Sequence, residues 1–178
     1  KLHAPNWFIE NQDGSKNPHD EIDNPFRSAE VLQAHVDEGL NYARKNRLPK
    51  PIANFIPEHQ GTLKMGYFFQ KAKEKNLKIN ENDFRYKGPI PQSKETAILM
   101  LADGCEAALR AMNINASDNK ALETISRIIY SRKKDGQLND SNLSKGEIFL
   151  IKRAFLNVWK RIRHRRIQYP TTKNNTFS

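Results

Sequence analysis

Three residues that can bind metal ions, His35, His59 and Asp103, lie on separate segments of the chain. Imidazole nitrogens and carboxylate oxygens together suit a divalent transition metal. Each segment has the apolar spacing of a core helix, so we expect all three side chains to be buried. A buried ionisable group is costly without a partner, and a metal is a partner that the three could share. Each residue taken alone also fits the ordinary alternative, a core side chain satisfied by hydrogen bonds to its neighbours.

The elements that must position these residues are helices. Apolar residues recur at helical spacing along most of the chain, and no alternation typical of strands persists. Asn, Asp, Pro and Gly are frequent in residues 1–26, which predicts a loop. We expect helices at about 28–46, 52–59, 63–76, 93–112, 117–133 and 144–168. Thr62 is the expected cap of the third helix, and Pro57 should kink or end the second beside His59.

The composition fits one globular domain. The chain has 178 residues, of which 37% are hydrophobic. No apolar run approaches the ~18 residues of a membrane span, and no signal-peptide pattern opens the sequence. The single cysteine, Cys105, cannot form an internal disulfide and lies in an apolar helical pattern, so we expect inert packing in a reducing cytoplasm rather than a nucleophile.

The net charge of +10 is concentrated in the last predicted helix, in Lys160, Arg161, Arg163, Arg165 and Arg166. A basic amphipathic helix can bind nucleic acid or an anionic membrane surface, but the same pattern is typical of a solvated face. Zinc-finger spacing, an RNA-binding aromatic signature and a helix-turn-helix pair are absent from the sequence, so we expect no nucleic-acid partner. A non-catalytic helical module that binds a nucleotide or another anionic partner through this helix is the alternative function.

An adjacent His-Asp pair, His19 and Asp20, follows Asn17-Pro18 in loop-like sequence. We expect neither side chain to be held by a helix, so we interpret the pair as a chance match to a motif rather than as a functional site. Glycine-rich phosphate-binding loops of the P-loop and dinucleotide types are absent.

Seven short segments occur in an order that resembles the cytoplasmic HD-family phosphohydrolase domain of bacterial seven-transmembrane HD receptors. They are Phe8-Ile9-Glu10-Asn11-Gln12, Asn17-Pro18-His19-Asp20, His35-Val36, Pro57-Glu58-His59-Gln60-Gly61-Thr62, Asp83-Phe84-Arg85-Tyr86, Pro91-Gln92-Ser93-Lys94-Glu95 and Leu101-Ala102-Asp103. The resemblance covers residues 1–170 and leaves 171–178 as an expected mobile tail. It implies an all-α, HD-domain-like helical bundle that is incomplete at its N-terminus. Family members are cyclic di-AMP phosphodiesterases, so it also implies an enzyme that converts this cyclic dinucleotide to linear pApA.

The resemblance assigns a metal role to the three residues named first. His35, His59 and Asp103 match ligand positions of a dinuclear iron or manganese centre, whose metals activate a water and neutralise phosphate oxygens. Many members carry a second histidine where this chain has Gln60, which is a poorer ligand but can hydrogen-bond a water or a phosphate.

Two further residues, Thr62 and Lys94, are candidates for phosphate contacts together with Gln60. Both have ordinary alternatives: Thr62 also suits a helix cap, and Lys94 also suits a solvated helix start. Tyr67, Phe68 and Tyr86 could stack on adenine, although aromatic residues at such spacing are typical of a core.

Lys1 resembles the lysine that closes the family's His-Asp-Ile-Gly-Lys motif. We therefore expect an upstream segment to carry the His-Asp pair and an earlier histidine. On that expectation, these 178 residues alone lack the bridging ligand and are inactive or nearly so. The family also implies a location at the cytoplasmic face of the inner membrane, reached only through the missing N-terminal region.

Overall fold

The computed structural model describes Trp7 and residues 18–75, 77–113 and 115–166, with side chains up to residue 163. The segment 8–12, the tail 171–178 and the side chains of Arg165 and Arg166 lie outside the described residues. The described part forms α1 (Pro18–Ile22), α2 (Pro25–Lys45), α3 (Lys50–Ala53), α4 (Phe55–Glu58), α5 (Gly66–Glu74), α6 (Lys94–Arg110), α7 (Asp118–Lys134) and α8 (Lys145–Arg166).

The all-α prediction is confirmed. A short 3-10 helix, Glu81–Phe84, lies between α5 and α6. Over the described ranges the chain forms no β-strand, and Lys64 and Arg85 make an isolated antiparallel bridge. None of the described helices is both long and apolar enough to cross a membrane.

Polar side chains begin several of these helices, as the sequence indicates. Asn24, Ser93 and Ser117 each accept a backbone N–H from the first turn of α2, α6 and α7, respectively. At the start of α8, the Glu147 N–H donates to Ser144 Oγ at 3.2 Å, and the Ser144 N–H donates to Glu147 Oε2 at 2.8 Å. This reciprocal pair is a capping box, which satisfies backbone donors that the first helical turn leaves without partners.

The larger hydrophobic core lies among α6, α7 and α8. Its buried residues come from these helices and the turn after α7: Ala97, Leu101, Cys105, Leu109, Ala121, Ile125, Ile129, Leu138 and Ile151. Burial raises the pKa of the Cys105 thiol to about 11, although Arg132 acts in the opposite direction. The thiol therefore stays protonated at neutral pH, in keeping with the inert packing expected for it.

A second core lies among α2, α5 and the 3-10 helix. Its buried residues are Ala29, Met65, Phe68, Ala72 and Phe84. The Phe84 ring has no exposed surface and lies 5.0 Å from the ring of Phe26 and 5.8 Å from that of Phe69. Helix α4 packs against α2 on one side and α6 on the other. The short helix that precedes His59 therefore contacts one helix of each hydrophobic core.

The prediction of a cap at Thr62 is wrong. Helix α5 begins at Gly66, after Met65, which makes no side-chain cap hydrogen bond. The Met65 N–H donates to the Phe84 carbonyl at 2.8 Å, and the Tyr86 N–H donates to the Leu63 carbonyl at 3.1 Å. These long-range hydrogen bonds keep residues 63–65 extended, so α5 begins at Gly66 rather than at residue 63.

The prediction of loop over the first 26 residues is also wrong within the described part. Helix α2 begins at Pro25, three residues early, because Asn24 caps it and proline suits the first helical turn. His19 and Asp20 lie on α1 rather than in a loop. His19 is buried, with Nε2 2.9 Å from the Trp7 carbonyl oxygen and its ring 4.9 Å from that of Phe68. These contacts give His19 a structural role.

Candidate active site

His35 and His59 lie side by side although they are 24 positions apart in the chain. His35 is on α2, and His59 directly follows α4, the helix that packs against α2. Their ring centroids are 5.5 Å apart, with the ring planes at 69°. Both residues are half-buried rather than fully buried. The fold therefore brings together two of the three residues assigned to a metal site.

Both imidazoles are oriented by the backbone of their own helical turn. Nδ1 of His35 hydrogen-bonds to the Leu32 carbonyl oxygen, and Nδ1 of His59 lies 2.6 Å from the Ile56 carbonyl oxygen. A carbonyl oxygen can only accept, so Nδ1 carries the hydrogen in each ring. In the neutral ring, Nε2 then carries the lone pair, the arrangement found in histidines that bind metals through Nε2.

Tyr86 lies beside His35, and its pKa responds to the charge of Asp103. The Tyr86 ring lies 5.9 Å from the His35 ring, nearly perpendicular to it at 83°. Burial, and then the negative charge of Asp103, raise the pKa of the Tyr86 phenol well above its ordinary value. The phenol therefore stays neutral at any ordinary pH and can act as a hydrogen-bond donor.

The prediction that Asp103 is buried is wrong. Asp103 is exposed on the face of α6 that also carries Leu99, Glu106 and Arg110, opposite the buried stripe of the same helix. An exposed carboxylate keeps its hydration, so no burial cost demands a partner for it. Burial therefore gives no reason to expect a metal partner for Asp103, and the link of Asp103 to this region is the effect of its charge on the pKa of Tyr86.

The donor types of the two histidines fit a divalent metal, but the described residues do not form a full ligand set. Among them, no group of three or more His, Cys, Asp or Glu side chains is arranged to hold a metal ion. Asp103 therefore does not complete a three-ligand group with His35 and His59. The metal role of the three residues stays a prediction.

Glu58, to which the sequence analysis assigned no role, fixes the turn that carries His59. Its carboxylate is 2% exposed. Oε2 accepts the Gln92 N–H at 2.8 Å and the Thr96 hydroxyl at 2.6 Å. A buried carboxylate is tolerated only with such partners, and here they lie at the start of α6. Glu58 thus joins α4 to α6, and the acidic residue directly before a candidate ligand was the only signal in the sequence.

Gln137 holds the next residues of the same turn. Oε1 of this fully buried side chain accepts the Thr62 N–H at 3.0 Å, and Nε2 donates to Thr62 Oγ1 at 2.9 Å. Gly61 has φ +52°, and a Cβ there would lie 2.5 Å from Gln137 Oε1 and 2.7 Å from Met100 Cε. Only glycine fits this position. The Thr62 hydroxyl accepts a structural hydrogen bond here, while its own O–H is left as a donor.

Arg85 ties this turn to the end of α7. Its guanidinium donates to the Thr62 carbonyl at 2.9 Å, to Glu81 Oε1 at 2.8 Å and to Asp135 Oδ1 at 3.2 Å. Burial alone would raise the pKa of Asp135, but the hydrogen bonds from Arg85 and Gln137 prevail and lower it. The Arg85 cation is therefore occupied by internal acceptors.

The two remaining candidates lie on either side of this region. Gln60 is half-buried in the turn after His59. Lys94 is the first residue of α6, and its Nζ lies 2.6 Å from Glu147 Oε1. Lys94 is thus not simply a solvated helix start, because it links the beginnings of α6 and α8. A phosphate contact by Lys94 would have to compete with this ion pair.

Comparisons with known proteins give a consistent picture. No family model matches the chain. Over 175 residues it is 47% identical to the uncharacterized protein slr0104 of Synechocystis sp., which covers 96% of this chain and 22% of that protein. Over 170 residues it is 38% identical to the cyclic-di-AMP phosphodiesterase PgpH of Bacillus subtilis, covering 96% of this chain and 24% of that protein. The chain thus spans about a quarter of the length of the curated relatives it matches.

A solved structure matches in fold as well as in sequence. The HD domain of Listeria monocytogenes phosphodiesterase PgpH, crystallised in complex with cyclic-di-AMP, superimposes with a TM-score of 0.86 at 36% identity. The match covers 91% of this chain and 75% of that chain.

Proposed function

The chain belongs to the family of HD domains found in PgpH cyclic-di-AMP phosphodiesterases, and from this membership we propose that it is the larger part of a domain that hydrolyses cyclic di-AMP to linear pApA. The observation that carries the proposal is the agreement in fold and sequence with an HD domain solved with that nucleotide. The histidine pair between α2 and α4 supports it independently, since the centroids of its two imidazole rings lie 5.5 Å apart and each ring is oriented through Nδ1.

We propose that His35 and His59 hold a divalent metal, iron or manganese, with Asp103 as a further ligand and two metals in the complete domain. The chemistry of the donors supports this assignment, because neutral imidazole and carboxylate suit both metals. When bound, such metals supply a nucleophilic water and neutralise phosphate charge. The Nδ1 hydrogen bonds keep both rings in the required tautomer and orientation.

The neighbouring residues have roles that require no covalent chemistry. Gln60 follows His59 directly, and we propose that its side-chain amide donates to a water or to a phosphate oxygen. The Thr62 hydroxyl is proposed as a second donor, held in place by Gln137. Lys94 is proposed as a phosphate contact that exchanges Glu147 for the substrate. Positioning donors before the substrate arrives lowers the cost of organising them during the reaction.

We further propose that an upstream segment with a His-Asp pair supplies the remaining ligands, and that the whole protein places this domain at the cytoplasmic face of a membrane. The solved HD domain is matched over 75% of its length, so it contains residues beyond the match, in keeping with a larger complete domain.

The alternative function, a non-catalytic module that binds anions through a basic helix, has weaker support. On α8, Lys160 pairs with Asp118 at 2.6 Å, and Arg163 donates to the Ala116 carbonyl oxygen. Both cations therefore serve contacts within the protein and are less available to an external anion.

A metal titration separates the two functions. We expect the chain to bind Mn²⁺, with weaker binding in His59→Gln and Asp103→Asn, as followed by the electron paramagnetic resonance signal of free Mn²⁺. Glu106→Gln is the matched control, because Glu106 lies on the same exposed face of α6 as Asp103. Equal binding by the parent and all three variants would contradict the assigned ligands and favour the binding module.

A further inference from the structure

A cation beside the candidate site has no role in the function described so far. Arg132 lies in the last turn of α7. A Cβ built on Gly104 would lie 3.1 Å from Nη2 of Arg132 and 3.8 Å from its Cζ. Gly104 directly follows Asp103, the proposed ligand, on α6. The guanidinium thus rests against the α6 backbone next to Asp103, in a place that a larger residue at 104 would obstruct.

The guanidinium is half-buried and incompletely satisfied. Its Nε atom is buried without a hydrogen-bond partner among the described residues. Burial lowers the pKa of Arg132, whereas Cys105, Asp135 and Asp103 act in the opposite direction. Asp135 is already engaged by Arg85 and Gln137. Nε has no exposed surface for an external partner, so an anion would be bound by the terminal Nη groups of this half-buried side chain, whose charge is not neutralised by an ion pair described here.

Arg132 differs in this respect from Arg85 and Lys94, two other cations of this region. Arg85 donates to a carbonyl and to two carboxylates. Lys94 pairs with Glu147. Of the three, Arg132 is the one that can accept an external anion without first breaking an ion pair described here.

Building on the function proposed above, we propose that Arg132 is a substrate-binding residue, whose guanidinium contacts a non-bridging oxygen of a substrate phosphodiester beside Asp103. The planar guanidinium can give two parallel N–H donors to one phosphate, which a lysine cannot. Because α7 and α6 hold the side chain before the substrate arrives, little of its conformational freedom is left to lose on binding.

Calorimetric titration of the 178-residue chain with cyclic di-AMP, in the presence of Mn²⁺, tests this role. We expect Arg132→Gln to weaken binding by about tenfold or more, and Arg132→Lys to weaken it less, because lysine keeps the charge but not the paired donors. Arg127→Gln is the matched control, since Arg127 is exposed on the same helix, and its affinity should stay within about twofold of the parent. Thermal unfolding of each variant checks its fold, and Arg132→Lys keeps the test decisive if Arg132→Gln fails to fold.

Three results would overturn the inference, and they can be told apart. If the parent binds the nucleotide and both Arg132 variants bind it equally well, the inference fails while the proposed function stands. If the variants also lose Mn²⁺ as Asp103→Asn does, Arg132 acts by positioning Asp103 rather than by contacting substrate. If the parent binds no cyclic di-AMP, the inference fails together with the function on which it rests.

Discussion

At the scale of single residues, the turn that carries His59 is fixed by hydrogen bonds from two buried side chains, Glu58 and Gln137. The types of His35 and His59 identified them as candidate ligands, whereas their hydrogen bonds to backbone carbonyls arise only once the helices form. The exposure of Asp103 depends on which face of α6 the core covers, and the many apolar residues of that helix concealed it. Arg132 was missed because its one sequence signal is Gly104, a glycine inside a hydrophobic helix.

Glu58 should contribute strongly to stability. We expect Glu58→Ala to lower the free energy of unfolding by roughly 1–3 kcal/mol, because it removes the acceptor of the Gln92 N–H and leaves the buried Thr96 hydroxyl only its longer hydrogen bond to the Ser93 carbonyl. Chemical denaturation measures this loss. Glu106→Ala, an exposed change on α6, should stay within about 0.5 kcal/mol of the parent, and a similar small effect at Glu58 would contradict its anchoring role.

Gly61 should tolerate no side chain. We expect Gly61→Ala to destabilise the protein by roughly 1–3 kcal/mol, since it combines a positive φ with a close approach to Gln137 and Met100. Gly66→Ala is the matched control, because a Cβ at Gly66 would meet nothing within 4 Å. If both substitutions shifted the thermal midpoint equally, the tight turn after His59 would not be as described.

Cys105 should be unreactive in the folded protein. Its buried thiol has a pKa raised to about 11, so very little thiolate exists at pH 7. We expect a thiol reagent such as Ellman's reagent to label Cys105 only after denaturation. Rapid labelling of the native protein would contradict both its burial and its role as packing.

At the scale of elements, local signals predicted most helices and long-range contacts account for the exceptions. Ser93, Ser117 and Ser144 are ordinary capping residues, and each begins a helix where the sequence predicts one. Thr62 has the same local character, but residues 63–65 bond across to residues 84–86 and the helix starts later. Helix α1 is only five residues long, so its packing through His19, rather than its sequence pattern, reveals it.

The junction of α6 and α8 should weaken in acid. The hydrogen bond from Lys94, and then those from Ser144, lower the pKa of Glu147 from 4.5 to about 2. Because the folded state has the lower pKa, the contribution is complete above the ordinary pKa and is lost as the pH falls towards 2. We expect Glu147→Gln to melt below the parent at pH 7, and the two to converge near pH 2.

Glu123 provides the control for this comparison. It forms a long, exposed ion pair with Lys120 at 3.6 Å, which should add little stability. Glu123→Gln should therefore follow the parent at every pH. A gap between the parent and Glu147→Gln that stayed constant down to pH 2 would show that the carboxylate charge is not what joins the helices.

At the scale of the whole molecule, the short helix α4 packs between helices of the two hydrophobic cores. Helix α4 contacts α2, which contributes to the core around Phe84, and α6, which contributes to the larger core. Hydrogen bonds of Glu58, Arg85 and Gln137 also join segments of the chain across the site. The sequence predicted the fold class, because helical periodicity is local. It did not predict this junction, which consists of contacts between residues far apart in the chain.

The net charge of +10 acts at the scale of the whole molecule through the electrostatic field of the protein. Several cations are paired within the fold, including Lys94 and Lys160. Such pairs leave the net charge unchanged, and the positive field of the protein would favour the approach of the proposed dianionic substrate without specifying it. Recognition must then come from the residues at the site.

The most direct test of the central claim is product analysis after incubation with cyclic di-AMP and Mn²⁺, using this chain, a form extended upstream through the expected His-Asp pair, and the extended form with His59→Gln. We expect the extended form to yield linear pApA, the His59→Gln variant to lose most of this activity, and the 178-residue chain to have little or none. Intact cyclic di-AMP with the extended form, or activity that survives loss of His59, would contradict the assignment of this fold as a metal-dependent phosphodiesterase.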